Sequence, residues 1–171
     1  MADKPNSLAA SQPNNPSFVT GSKTRTVQYE CIFTAANSNA GDKCELVKGL
    51  GTADRISAIR PSGAGTPALT SAANNDLGFF YEDSTGALVE LDADILWDGV
   101  TLASALTHPN LLTALNASLD ASKNIGQLLG IGHDHPANGS ICLVLKTNTA
   151  NTATGPLYLR LFIDIDEATT N

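Results

Sequence analysis

Two stretches of the sequence gather side chains able to do chemistry. Gly132-His133-Asp134-His135-Pro136 sets two imidazoles two residues apart with a carboxylate between them. A His-x-His pair can hold a divalent metal, and Asp134 could orient a ring or join as a ligand. A metal centre needs a third and fourth ligand, and the remaining donors are His108 and scattered acids without H-E-x-x-H or facial-triad spacing. The stretch is therefore read as a turn leading into the strand at Ser140, with the histidines exposed or at a subunit contact. The second stretch, Glu90 to Gly99, carries Asp92, Asp94 and Asp98. A period of two puts Asp92 and Asp94 on one strand face, where they repel unless a cation lies between them. The spacing is not that of an EF-hand loop. No G-x-S-x-G, phosphate loop or Cys–His pairing accompanies either stretch, and Gly49-Leu50-Gly51 lacks a third glycine and a following helix. No catalytic residue, cofactor or metal is assigned.

The elements that must position these residues are strands. Leu77–Glu82 is aromatic-rich, Asp83-Ser84-Thr85-Gly86 is turn chemistry, and Ala87–Trp97 resumes an apolar pattern, which together signal a hairpin. From Thr26 the chain alternates, with Val27, Tyr29, Cys31 and Phe33 on one face and Gln28 and Glu30 on the other. Lys43–Lys48 and Arg55–Arg60 predict two short strands, with Cys44 and Leu46 inward. Residues 61–75 predict a small-residue loop. Ser140–Thr147 is nearly all apolar, as suits the middle of a sandwich. Pro156–Asp166 alternates Leu157, Leu159, Leu161, Ile163 and Ile165 against Tyr158, Arg160, Phe162, Asp164 and Asp166. Between hairpin and closing strands, a first helix can begin at Thr107-His108-Pro109 and use Leu111, Leu112 and Leu115. A second, capped by Asp120 or Ser122, runs through Ile125 to Leu129 and stops at Gly130. Both are read as a crossover covering one sheet edge. The predicted fold is a mainly β, jelly-roll β-sandwich with one or two short helices, and a barrel is the second choice.

Residues 1–25 hold three prolines and no periodicity, which predicts an extended N-terminal arm ahead of a sandwich domain over 26–171. Fully extended, the arm reaches roughly 80 Å at ~3.3 Å per residue, enough to cross onto a neighbouring subunit. Such a segment must be held by something else, and Lys4, Phe18, Lys23 and Arg25 are its candidate contacts.

Charge excludes one class of partner. The net charge is −7. Residues 1–60 carry seven Lys/Arg against five acids, and residues 61–171 carry three against twelve. An acidic body argues against nucleic acid, where clustered cations are needed to displace counterions. No apolar run reaches the ~18 residues of a membrane span, and the first residues lack the basic and apolar regions of a signal peptide, so synthesis in a cytoplasm is expected. Cys31, Cys44 and Cys142 have no C-x-x-C spacing, and each lies in an apolar run. Buried thiols in a reduced compartment are expected.

In order along the chain, GDKCELVKGLGTADRISAIRP, DLGFFYEDSTGALVELDADILWDGVTLASA and ICLVLKTNTANTATGPLYLRLFIDI resemble the small structural proteins of tailed bacteriophages. The shared features are Gly-Asp before a strand, a DLG-aromatic strand with a turn, the ADILWDG segment and the closing strand, over about residues 41–166. The resemblance implies a capsid decoration (cement) protein or a near relative on the outer surface of the virion, without catalytic residues. The major capsid protein is then the expected partner, with self-association, most simply as a homotrimer. Tyr158, Arg160 and Phe162 are the candidate subunit interface, since aromatics and Arg on an outward strand face are favoured at interfaces. A tail or head-fibre anchoring subunit is the alternative. A carbohydrate-binding β-sandwich module is a third reading and would need a platform of exposed Trp and Tyr, and an enzyme built on His133 and His135 is the fourth.

Overall fold

A computed structural model describes residues 23–33, 39–61, 74–101, 108–149 and 157–167. Seven strands and two short helices follow in order: β1 (Lys23–Phe33), β2 (Lys43–Leu50), β3 (Arg55–Pro61), β4 (Asn75–Glu82), β5 (Leu88–Val100), α1 (Leu111–Leu115), α2 (Ile125–Leu129), β6 (Ile141–Thr147) and β7 (Leu157–Glu167). They form two antiparallel sheets, one with the order β1-β7-β3 and one with the order β2-β6-β4-β5. The protein is mainly β, as the alternating patterns predict. Residues 1–22 of the expected arm and residues 62–73 of the expected 61–75 loop lie outside the described residues, while Pro61 ends β3 and Asn75 begins β4. Lys23 to Arg25 belong to β1 rather than to the arm, because β1 pairs with β7 from Lys23 onward.

The main core lies between the sheets. Val27, Ile56 and Ile59 join Leu159, Leu161, Ile163 and Ile165 from one sheet, and Leu46, Leu77, Phe79, Leu96, Trp97, Leu143 and Leu145 come from the other. The alternation of β7 is realised residue by residue, with the odd positions from Leu159 to Ile165 buried and the even ones from Arg160 to Asp166 outward. On β6, Ile141 to Leu145 are all buried because the four-stranded sheet carries a second, smaller cluster on its other face, formed by Phe80, Ala93, Cys142 and Val144. Long charged side chains frame that cluster: Lys43 Nζ lies 4.9 Å from the Phe80 ring centroid, and Lys48 bridges Glu45 (3.0 Å) and Glu82 (3.1 Å).

The turn of the β4–β5 hairpin is built by Asp83, whose Oδ1 accepts Thr85 N–H (2.8 Å), Thr85 Oγ1–H (2.6 Å) and Ala87 N–H (3.0 Å). Both helices form where the apolar spacing puts them, with different caps. Asn110, not the Pro109 region, caps α1, and Asn124 caps α2 through a reciprocal capping box with Gln127. Asp120 and Ser122 are instead spent on each other, Asp120 Oδ1 accepting Ser122 N–H at 3.1 Å. Gly130 closes α2 in the left-handed conformation at φ 68°. The α1 helix packs on both β3 and β5, so the helical passage covers the edges of both sheets on one side of the molecule, not one edge.

Cys44 is disulfide-bonded, which overturns the expectation of a free thiol at that position. An apolar strand run buries a half-cystine as readily as a thiol, so burial alone did not separate the two states. Cys142 is free, and burial, reinforced by Glu45, pushes its thiol up to about 11. Among the described residues no helix is long and apolar enough to cross a membrane.

Candidate functional site: the outward face of the three-stranded sheet

The central strand β7 presents Arg160, Phe162, Asp164 and Asp166 to one side, flanked by β1 and β3 in register. Thr24 stands opposite Asp166, Thr26 opposite Asp164 and Glu30 opposite Arg160. On the other flank, Arg55 stands opposite Asp166 and Arg60 opposite Phe162. Cross-strand neighbours of this kind interact directly. Thr24 Oγ1 donates to Asp166 (2.7 Å), Thr26 Oγ1 to Asp164 (2.6 Å) and Ser57 Oγ to Asp166 (3.2 Å). Arg55 Nε meets Asp166 at 3.0 Å, Arg60 Nη2 meets Asp164 at 2.7 Å, and Arg160 is paired with Glu30. Burial works against the charge of Asp166, yet the hydrogen bonds from Thr24, Arg55 and Ser57 outweigh it and hold the carboxyl below its ordinary value.

This face is a neutralised ladder in which cations and carboxylates alternate across strands. Phe162 stands out within it as a half-buried ring, with the Arg60 guanidinium 6.0 Å from its centroid. The combination of an aromatic ring with Arg60 and Arg160 beside it has the composition of an interface anchor. The structure thus brings Arg160 and Phe162 together on one surface. The side chain of Tyr158 lies outside the described part of β7. Of the expected arm contacts, Arg25 sits in β1 and is paired with Glu167 at 3.0 Å. Lys4, Phe18 and the side chain of Lys23 lie outside the described residues. Arg55 and Arg60, the β3 partners of the ladder, were missed as part of this face. The signal available for them was their spacing at the two ends of a strand that ends in Pro61.

The histidine stretch forms the turn into β6. Asn138 Oδ1 accepts Thr52 N–H at 2.8 Å, which aims the Asn138 amide nitrogen at His133 Nδ1, 3.0 Å away. An amide nitrogen can only donate, so His133 Nδ1 is the acceptor of this contact. His135 Nδ1 likewise accepts Ala137 N–H at 3.2 Å. Each ring spends a nitrogen on holding the turn. Among the described residues no group of three His, Cys, Asp or Glu is placed to hold a metal ion. A cleft of about 300 Å³ opens beside His133, lined by Thr52, Gln127 and Ile131 among others. It is shallow and mostly uncharged.

Asp92 and Asp94 do approach each other on β5, with Asp94 N–H 3.4 Å from Asp92 Oδ1. Burial, and then the contact with Asp94, push the Asp92 carboxyl above its ordinary value. They form a like-charge pair on a strand, with Asp98 exposed further along. No family model, no curated protein and no solved structure matches this chain.

Proposed function

We propose that this chain is a non-enzymatic structural protein of a phage virion, which binds the outside of the capsid shell as a symmetric homo-oligomer, most simply a trimer, and stabilises it. The observation that carries the reading is the strand order. A jelly roll is a long antiparallel ribbon folded on itself, so that the first strand pairs with the last and the second with the next to last. Here β1 pairs with β7, β2 with β6 and β4 with β5, while β3 lies on the other side of β7. In a complete jelly roll the segment between β5 and β6 supplies a strand beside β3; here it supplies α1 beside β3. We read the fold as a jelly roll in which one strand is replaced by a helical passage.

That architecture serves viral capsid proteins, lectins and cupins alike, so the surface must choose among them. A carbohydrate-binding module needs an exposed aromatic platform, and Trp97, the one tryptophan, is fully buried. The ladder face instead offers neutral, rigid, hydrogen-bonded surface around Phe162, which suits protein. The mechanism is mass action: a protein that binds only the assembled shell stabilises it by RT ln(1 + [L]/Kd), about 2.7 kcal/mol per site at a hundredfold excess over Kd. Residues 1–22 would add a second point of attachment, raising the effective concentration of the first. The test is to mix purified protein with shells that lack it and measure bound copies and the melting temperature of the shell. A tail or head-fibre anchor would bind its own vertex or tail partner and leave the bulk of the shell bare.

A further inference from the structure

Two histidine rings of this chain accept hydrogen bonds that a charged imidazole cannot accept. His135 Nδ1 takes the N–H of Ala137, a fully buried residue, at 3.2 Å. The His133 contact is fixed from its far side. Asn138 has one accepting and one donating end to its amide, and buried Thr52 claims the accepting end by donating its N–H at 2.8 Å and its Oγ1–H at 3.2 Å. The donating end is left for His133 Nδ1 at 3.0 Å. Reversing the amide would set its NH2 group against the Thr52 N–H. A protonated imidazole donates from both nitrogens. A charged His133 therefore cannot hold Asn138 while Asn138 holds the Thr52 N–H, and a charged His135 strands the Ala137 N–H.

We infer that residues 132–138 form an acid-released latch, closed on Thr52 while both rings are neutral and opened when they charge. Thr52 is where the turn meets the rest of the fold. Its carbonyl accepts Gly126 N–H at 2.7 Å, and the Asp54 carbonyl accepts Ile125 N–H at 2.8 Å, so residues 51–54 join the histidine turn on one side to α2 on the other. The cleft of about 300 Å³ opens at this junction, and its described lining of Thr52, Ala53, Asn124, Gly126, Gln127 and Ile131 carries no charge to stabilise an imidazolium. The charged groups closest to the rings are carboxylates: Asp54, whose Oδ2 accepts Gly51 N–H at 2.7 Å, and Asp134, exposed on the turn between the rings. His133 is exposed and His135 half-buried, so protons reach both. As pH falls through the range where imidazoles charge, the two acceptors are lost and the turn loosens its hold on Thr52. His108 marks the contrast, because its Nδ1 lies 2.9 Å from the Asn110 carbonyl and 3.2 Å from the Asn110 N–H, which gives it a partner in either charge state. The inference goes beyond the shell-binding reading and stands without it.

The test is amide hydrogen exchange of the full-length protein, resolved by nuclear magnetic resonance at about pH 7.5 and about pH 5, either side of the ordinary imidazole value of ~6.5. Each rate is divided by the intrinsic rate of that amide at that pH. Protection of Ala137 and Thr52 should fall about fivefold or more on acidification, while Val144 in β6 and Ile163 in β7 keep theirs. The double variant His133→Gln/His135→Gln supplies side-chain oxygens that accept without titrating, and its Ala137 and Thr52 amides should be equally protected at both pH values. Unchanged protection of Ala137 and Thr52 in the unaltered protein overturns the inference. An equal fall in the double variant also overturns it, since the loosening would then belong to another group.

Discussion

Asn110 Oδ1 accepts two backbone N–H groups, from Leu112 within α1 at 3.1 Å and from Ile59 on β3 at 3.3 Å, so one side chain caps a helix and closes a sheet edge. At the other end of α1, Asn116 donates its amide to Ile95 on β5. A helix of five residues has little stability of its own, and these two asparagines tie it between the sheets. Asn110→Ala should therefore lose about 1 kcal/mol of capping and a further ~1–3 kcal/mol for the stranded N–H of buried Ile59. Asn110→Asp keeps the acceptor oxygen and should unfold in denaturant near the unaltered protein. Equal losses in the two variants would show that the oxygen is not what matters.

Gly78 is set by the close approach of β5. A Cβ there would stand 2.1 Å from the Asp92 carbonyl oxygen and 2.5 Å from the Ala93 carbonyl carbon, and neither is a side chain that can swing away. Gly78→Ala should destabilise at or beyond the upper end of the ~1–3 kcal/mol typical of overpacking. Gly130→Ala, where nothing lies within 4 Å, should cost only the strain of its left-handed backbone. Denaturant midpoints of the two variants check the order.

Two carboxylates predict opposite pH effects. Asp166 has a lowered carboxyl, so its contribution is fully present above the ordinary carboxylate value of ~3.9 and is lost as pH falls through its own lower value. Asp92 has a raised carboxyl, chiefly through burial and then through Asp94, so its ionised form weighs against the fold at neutral pH. At pH 7 Asp166→Asn should lower the melting temperature, and Asp92→Asn should raise it or leave it unchanged. As pH falls, the Asp92 difference should shrink first, on passing its raised value, and the Asp166 difference only on passing its lowered one. The same sign for both at pH 7 would contradict the assignment.

The Cys142 thiol is buried and pushed up to about 11, so the thiolate is scarce at neutral pH. Native protein should react with an aromatic disulfide reagent far more slowly than unfolded protein, by a factor on the order of a hundred or more. Labelling at equal rates would place the thiol at the surface.

Strand periodicity carried most of the fold. The alternation of β7, the Asp83 turn and the apolar run of β6 were legible because each is local and each is buried by its own period. The helix caps were not, since Asn110 displaced the expected start at Thr107-His108-Pro109, and Asn124 displaced Asp120 and Ser122, through contacts outside the helix: Asn110 also serves β3, and Ile125 N–H is held by the Asp54 carbonyl at 2.8 Å. The disulfide state of Cys44 left no periodic trace, since an apolar strand run suits a half-cystine and a thiol alike. On the candidate site, the outward placement of Arg160 and Phe162 followed from parity alone. That Arg55 and Arg60 would complete the ladder depended on which strands flank β7, and strand order is a long-range property.

The central claim is that this surface holds a shell. The direct measurement is binding of the full-length protein, of a form lacking residues 1–22, and of the Arg160→Ala/Phe162→Ala variant to capsid shells that lack it, with shell melting temperature read in the same samples. Deletion stops at residue 22 because β1 begins at Lys23. The account predicts saturable binding that raises the melting temperature of the shell and weakens at least tenfold in each altered form, while each altered form keeps its own fold. Absence of saturable binding by the full-length protein would contradict it.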